Sequence, residues 1–322
     1  MRSGKIPATV VTGFLGAGKT TLVNHILEAT RPLAIGVIVN EFGEVGIDGH
    51  LIVADENAVI EINNGCICCT VRADLVGSVR ELLDRFGDSL QRLVIETSGL
   101  ADPAPVLQTF LADPDVRERV ELESVVVVVD ALHAQQQLAD DIAREQVAFA
   151  DRVVVNKTDL AAADSVTALV ERIRQLNPTA SVDFADHSAI DVSSFIGVRS
   201  FSIDNLLAVE PDLLDETSHD HEHDDSIESH SFVVSGAIDA GRFSRWVNQL
   251  VQEQGQQILR MKGVLNLHDE ARRLHFHSVH MLMDTTFGKA WSQSEPRDNR
   301  FVMIGRNLDA TSMRDGLLGC MH

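Results

Sequence analysis

The chain has 322 residues, 44% hydrophobic and 23% charged, enough for a substantial core divided between two domains of ordinary size. Its 27 Lys and Arg against 48 Asp and Glu leave a net charge of −21, which repels polyanions and anionic lipid and argues against nucleic-acid or membrane-surface binding. Three of the four cysteines fall together (Cys66, Cys68, Cys69), with Cys320 far away, so they suggest metal or redox chemistry in a reducing compartment rather than a disulfide framework.

Strand-like runs occur at 6–12, 33–39, 58–62, 92–95, 124–129, 152–155 and 181–184. Several are continuous apolar stretches, as in strands buried on both faces. Helix-length segments lie between them at 20–29, 72–86, 134–149 and 164–175. This alternation predicts an α/β domain over residues 1–205, a mostly parallel sheet flanked by helices that binds ligands at the carboxyl ends of its strands. Residues 206–230 are acidic and nearly devoid of bulky apolar side chains after Leu214, and read as a mobile linker that cannot offset its ordering entropy. Residues 231–322 carry a strand, a helix at 240–252, strand runs at 258–267, 273–283 and 300–304, and a last helix. Short connections there predict a smaller α+β domain with an antiparallel sheet. No signal-peptide pattern opens the chain, and the apolar run Val125-Val126-Val127-Val128-Val129 is far below the ~20 residues that span a bilayer. A soluble cytoplasmic protein is expected.

Gly13-Phe14-Leu15-Gly16-Ala17-Gly18-Lys19-Thr20 fits the phosphate-loop pattern G-x-x-x-x-G-K-[ST], with a strand before it and a helix after. Gly13, Gly16 and Gly18 let backbone N–H groups curl around phosphate oxygens at a helix N-terminus. Lys19 supplies a charge to the outer phosphates and Thr20 a hydroxyl for Mg²⁺, with Ala17 and Thr21 completing the binding set. Asn156-Lys157-Thr158-Asp159 follows a strand. One carboxylate, that of Asp159, can accept both the N1–H and the 2-amino group of guanine, a pairing that adenine lacks. Asn156 can hold the loop while the Lys157 stem lies on the base. The predicted nucleotide is GTP. Between these motifs, the run 93–95 ends in Glu96, followed by Gly99: an acid that reaches Mg²⁺, directly or through water, and an N–H that senses the γ-phosphate. Leu100, not Gln, follows Gly99, so slow intrinsic hydrolysis is expected.

Asn63-Asn64-Gly65-Cys66-Ile67-Cys68-Cys69 offers three thiols converging from a tight turn. Closed zinc sites take four ligands, so three sulfurs leave one position for water, Glu41, Glu44, a histidine or a recipient's ligand. A structural zinc knot and a redox thiol pair remain open alternatives. The combination GFLGAGKTT, VNEFGEVGID, NNGCICC, VIETSGLADP and NKTD resembles the CobW-type metallochaperone GTPases, and MKGVLNL, FHSVH and NRFVMIGRNLD extend the similarity across nearly the whole chain. The resemblance implies a P-loop GTPase that binds Zn²⁺ or Co²⁺ with GTP and Mg²⁺. Such a protein delivers the metal to a client metalloprotein or a cofactor-biosynthesis protein. It assigns nucleotide roles to Lys19, Thr20, Glu96, Asn156 and Asp159, and metal roles to Cys66, Cys68 and Cys69. A homo-oligomer stays open.

His219, His221 and His223 alternate with acids inside the linker, where a flexible tract could gather metal weakly or simply be solvated. His275 and His277 alternate in a strand, more in the manner of surface or packing histidines than of ligands. Cys320 reads as an incidental thiol. Two functions compete. In one, GTP hydrolysis drives metal transfer; in the other, a metal-responsive module uses GTP only to stabilise a complex, or activates one specific metalloenzyme.

Overall fold

A computed structural model describes residues 4–41, 58–63, 70–87, 89–194, 196–197 and 227–322. The strands β1 (Ile6–Thr12), β2 (Ile35–Glu41), β3 (Ala58–Asn63), β4 (Arg92–Glu96), β5 (Val120–Asp130), β6 (Arg152–Asn156) and β7 (Ser181–Ala185) form one sheet. Their order is β3-β2-β4-β1-β5-β6-β7, and every neighbouring pair is parallel. Parallel strands need crossovers, and these are α1 (Lys19–Ala29), α2 (Thr70–Phe86), α3 (Ala104–Ala112), α4 (Pro114–Arg119), α5 (Ala134–Gln137), α6 (Asp141–Phe149) and α7 (Ala163–Leu176). On α1, Leu22, Val23 and Ile26 recur at helical spacing and pack with Val11, Val94, Val126 and Val154 of the sheet. The expected α/β domain with a mostly parallel sheet is therefore present.

Two helical expectations need correction. The segment 134–149 is two helices, because Asp140 is extended (φ −85°, ψ 136°) and its carboxylate accepts the Ile142 N–H at 2.8 Å, starting α6 afresh. Between β4 and β5 the chain also forms α3 and α4, which the prolines there obscure in the sequence. Pro105 and Pro114 sit in first turns, where no intrahelical N–H bond is lost, and Asp113 caps α4 by accepting from Val116 N at 3.0 Å.

The second compact unit is built on β8 (Ile227–Ser235), β9 (Ile258–Leu265), β10 (Arg272–Val279), β11 (Leu282–Ala290) and β12 (Asp298–Arg306). They form an antiparallel sheet in the order β11-β10-β9-β12-β8. Helices α8 (Ala240–Gln254) and α9 (Ala310–Leu318) cover one face. Phe243 of α8 meets Phe276 and Phe301 edge-on, at centroid distances of 5.4 and 6.0 Å. The run expected at 273–283 is instead two strands that turn at His280 (φ 48°) and Met281, since apolar residues continue through the turn and hide it. β8 starts at Ile227, which is 4% exposed and pairs with Arg306, so the last residues of the expected linker belong to a strand. The rest of that tract, including His219, His221 and His223, lies outside the described residues.

His275 and His277 do share a face of β10, opposite Val264 and Lys262. His277 is buried and faces Asp284 at 3.8 Å. Among the described residues no group of three or more His, Cys, Asp or Glu side chains gathers as a metal site. Cys320 is buried, donates to Gly316 O at 3.2 Å, and burial pushes its thiol up to about 11, which leaves it unreactive. No helix among the described residues is long and apolar enough to cross a membrane.

Candidate functional site: a phosphate loop and a base loop at one sheet edge

Because all seven strands of the first sheet run the same way, the loops after β1, β4, β5, β6 and β7 gather at their carboxyl edge. The loop after β1 turns on three glycines with positive φ: Gly13 (138°), Gly16 (74°) and Gly18 (107°). A side chain at Gly13 would run into the Val128 carbonyl, and one at Gly18 would stand 2.5 Å from Asn156 Nδ2. Gly18 caps α1 without any side-chain hydrogen bond, and no acid in the first turn offsets the positive end of this helix, which suits an anion there. Lys19 is 9% exposed and its Nζ donates to Phe14 O at 3.2 Å, folded along the loop. Thr20 Oγ1 donates to Glu96 Oε1 at 2.7 Å. Glu96 ends β4, is 5% exposed and lies in register with Val11 of β1. The strand-end acid and the loop hydroxyl predicted from the sequence thus meet. Their oxygen-only chemistry beside a cluster of backbone amides suits a hard cation such as Mg²⁺. Ala17 is buried and Thr21 is exposed. Gly99 is pressed against the phosphate loop, where a Cβ would fall 2.7 Å from Leu15 N.

The second motif closes over the first. Asn156 is 2% exposed; its Nδ2 donates to Ala17 O at 2.9 Å and its Oδ1 accepts the Ser188 N–H at 2.8 Å. Lys157 adopts the left-handed conformation (φ 61°), which turns its side chain back over the loop. Its Nζ donates to Gly16 O at 2.8 Å and to Asp130 Oδ2 at 2.7 Å. Asp159 is exposed, and its N–H is held by Asp186 Oδ1 at 3.1 Å, which also accepts from Thr158 Oγ1 at 2.6 Å. The arrangement leaves the Asp159 carboxylate at the surface beside a fixed backbone.

Three of these partners escape sequence reading. Asp130 ends the apolar β5 as Glu96 ends β4, and that shared pattern was the available signal. Asp186 and Ser188 follow β7 with no recognisable spacing. Burial acts to raise the pKa of Asp130, yet hydrogen bonds from Lys157, His133 and Leu132 N–H outweigh it and hold the carboxyl below its ordinary value. A depressed folded-state pKa adds stability that is complete above the unfolded value of ~4 and fades as pH falls through the folded value. Asp130→Asn is therefore expected to destabilise the protein at neutral pH. The gap from wild type in urea unfolding should close in acid, and a pH-independent gap would contradict the ion-pair account.

The predicted metal ligands are less visible. Glu41 ends β2 in register with Asn63, the last residue of β3. Glu44, Cys66, Cys68 and Cys69 lie outside the described residues. β3 ends at Asn63, at the carboxyl edge of the parallel sheet, the edge that also carries the phosphate loop. Three strand spacings separate β3 from β1, or roughly 14 Å at ~4.8 Å each.

A glycine loop between strand and helix, a lysine and a threonine at its end, and an acid from the neighbouring strand define a P-loop nucleotide-binding α/β protein. Residues 7–183 match the CobW/HypB/UreG nucleotide-binding domain, and residues 227–321 match the cobalamin synthesis protein cobW C-terminal domain. The chain belongs to this CobW family of P-loop GTPases, as its motifs suggested. It is 35% identical to the zinc chaperone YjiA of Escherichia coli over 319 residues, 98% of each chain. It is 33% identical to the zinc chaperone CobW of a Sinorhizobium species, covering 97% of this chain and 96% of that one. A zinc-regulated GTPase metalloprotein activator of Dictyostelium discoideum is 32% identical over 61% of this chain and 49% of its own length. Among solved structures, the Zn(II)-bound YjiA GTPase from E. coli superposes with a TM-score of 0.75 at 31% identity, covering 99% of this chain and 100% of that one.

Proposed function

We propose that this protein is a GTP-hydrolysing metallochaperone. It takes up Zn²⁺, with Co²⁺ as a second candidate, at Cys66, Cys68 and Cys69, and passes it to a client metalloprotein or cofactor-biosynthesis protein. The observation that supports the nucleotide half is the packing of the Asn156-Lys157 loop on the phosphate loop, beside the Thr20–Glu96 hydrogen bond. In this reading the amides of 13–20 and the Lys19 ammonium bind the phosphates, while Asp159 selects guanine. Thr20 and Glu96 hold Mg²⁺, Glu96 directly or through water, and the ion when bound neutralises charge on the β- and γ-phosphates. Gly99 offers its N–H to the γ-phosphate.

The metal half rests on the cysteine spacing and on the zinc-named relatives of similar length. Glu41 and Glu44 are the candidates for completing the site. Soft thiolates suit Zn²⁺ and Co²⁺. Titration with GTP, GDP and ATP in Mg²⁺ buffer, then with Zn²⁺ against a competing chelator, tests both halves. Equal binding of ATP and GTP would overturn the first, and unchanged zinc affinity in a Cys66, Cys68 and Cys69 triple alanine variant would overturn the second. Leu100, not Gln, follows Gly99, so the segment supplies no obvious water-orienting side chain, which favours slow turnover. It also favours a second reading, a metal-responsive module in which GTP merely stabilises a complex and turnover is incidental. Stoichiometric activation of a client by a non-hydrolysable analogue would support this second reading.

The tract His219, His221 and His223 is assigned an auxiliary role, since its sequence lacks the apolar anchors that hold a preformed site. Changing all three to Ala is expected to leave the tightest zinc site and the GTPase rate unchanged and to remove only weak additional equivalents. Loss of the tightest site in equilibrium dialysis would make the tract a principal ligand.

A further inference from the structure

Gln146 of α6 is 1% exposed, and its Nε2 donates to two backbone carbonyls at once, Gly99 O and Ala101 O, each at 3.2 Å. Both carbonyls belong to the turn that follows Glu96, closed by Ala101 N–H to Ser98 O at 3.1 Å. The near end of this segment is tied to β1: Thr97 N–H donates to Val11 O at 3.0 Å, and Thr97 Oγ1 to Thr12 Oγ1 at 2.7 Å. Gln146 is the tie at the far end. Between the two ties, Gly99 lies so close to Leu15 of the phosphate loop that a Cβ would fall 2.7 Å from Leu15 N and 2.9 Å from its Cα. The neighbouring Leu100 is exposed, so water can reach the outer side of this turn. A buried amide in a helix interior carries a desolvation cost that an apolar side chain of similar volume would avoid. That cost is offset here only by the two bonds Gln146 donates, which fix the geometry of the turn.

We propose that Gln146 is a positioning residue for γ-phosphate discrimination. It holds the 96–101 segment against the phosphate loop, so that the Gly99 amide is in place before a nucleotide triphosphate arrives. This inference rests on the reading of Gly99 as the γ-phosphate contact. GDP ends at the β-phosphate, which the amides of the phosphate loop and Lys19 hold without this segment. Loss of the anchor should therefore weaken triphosphate binding and spare diphosphate binding.

The test uses the full-length protein in Mg²⁺ buffer, titrated with fluorescent GDP and with a fluorescent non-hydrolysable GTP analogue. Gln146→Met keeps the volume and removes both donated bonds. It is expected to lower the preference for the triphosphate by at least about fivefold, the low end of typical coupling, while GDP affinity stays within about twofold. Gln146→Glu supplies a signature that packing alone does not produce. Its carboxylate cannot donate, but burial raises the pKa of such a group, and the neutral acid donates one bond. Lowering the pH from about 8 to about 6 should then restore part of the preference in this variant relative to wild type at the same pH. An unchanged preference in both variants overturns the role of Gln146 while leaving the γ-phosphate contact standing. Equal affinity of the wild type for the two nucleotides overturns that contact and this inference together.

Discussion

Asp159→Asn is expected to weaken GTP binding by ~1.5–3 kcal/mol, the range for hydrogen bonds to a charged group, or roughly 10- to 150-fold in dissociation constant. In the proposed base site the carboxylate would accept two donors from guanine, and an amide could accept only one while turning its NH₂ toward the other. Xanthine replaces the 2-amino donor with a carbonyl, which that NH₂ matches. The same substitution should therefore improve binding of xanthosine triphosphate as it impairs that of GTP. Asp159 is exposed and the loop backbone is held separately by Asp186, so the unfolding midpoint should be nearly unaffected. Competitive titration of GTP and xanthosine triphosphate on wild type and variant decides the matter. A variant that keeps GTP affinity and gains nothing for xanthine would remove Asp159 from the base site.

Mg²⁺ with a GTP analogue is expected to tighten metal binding at the cysteine cluster by at least about tenfold relative to GDP, within the usual 1–3 kcal/mol of coupling between sites. The strand order sets the form of this coupling. β3, the strand that precedes the cysteines in the chain, lies three strand spacings from β1, roughly 14 Å at ~4.8 Å each. β2 and β4 are the two strands between β3 and β1, so coupling is expected to run through the segments that follow them, as switch segments that reorder with a γ-phosphate. Linkage requires the metal to tighten the GTP analogue by the same factor. Protons compete for the thiolates, so metal affinity should fall as pH drops. Cys66→Ala, Cys68→Ala and Cys69→Ala should each abolish the coupling and leave nucleotide affinity in metal-free buffer near wild type. Co²⁺ titration followed by thiolate charge-transfer absorption reads the effect directly. Superimposable curves with GTP analogue and GDP would leave a GTPase with a passive metal site.

The legible parts of the molecule are those written in contiguous residues. A phosphate loop needs glycines at fixed offsets, because the φ of 138° and 107° at positions 13 and 18 lies where L side chains are strained. A buried parallel strand announces itself as a valine run, and ligands bind at the carboxyl ends of such strands, so the runs themselves locate Glu96 and Asn156 at the site. Three thiols in four positions require no tertiary information to suggest a metal. Boundaries are less legible where two signals overlap. The apolar pattern runs through the turn at His280 and Met281, and helical composition runs through the break at Asp140.

Each motif, and the strand that carries it, is encoded locally in the chain. Which motifs touch is decided only on assembly. Asp130 meets Lys157 because β5 and β6 are neighbours in the sheet. Ser188 reaches Asn156 because β7 lies beside β6, and Glu96 reaches Thr20 because β4 inserts between β2 and β1. Gln146 finds Gly99 only when α6 and the end of β4 are brought together. No spacing along the chain encodes these meetings. They depend on the order β3-β2-β4-β1-β5-β6-β7, which follows from packing both faces of one sheet with helices of limited length, and a side chain's partner across that sheet is settled only when the whole sheet is assembled.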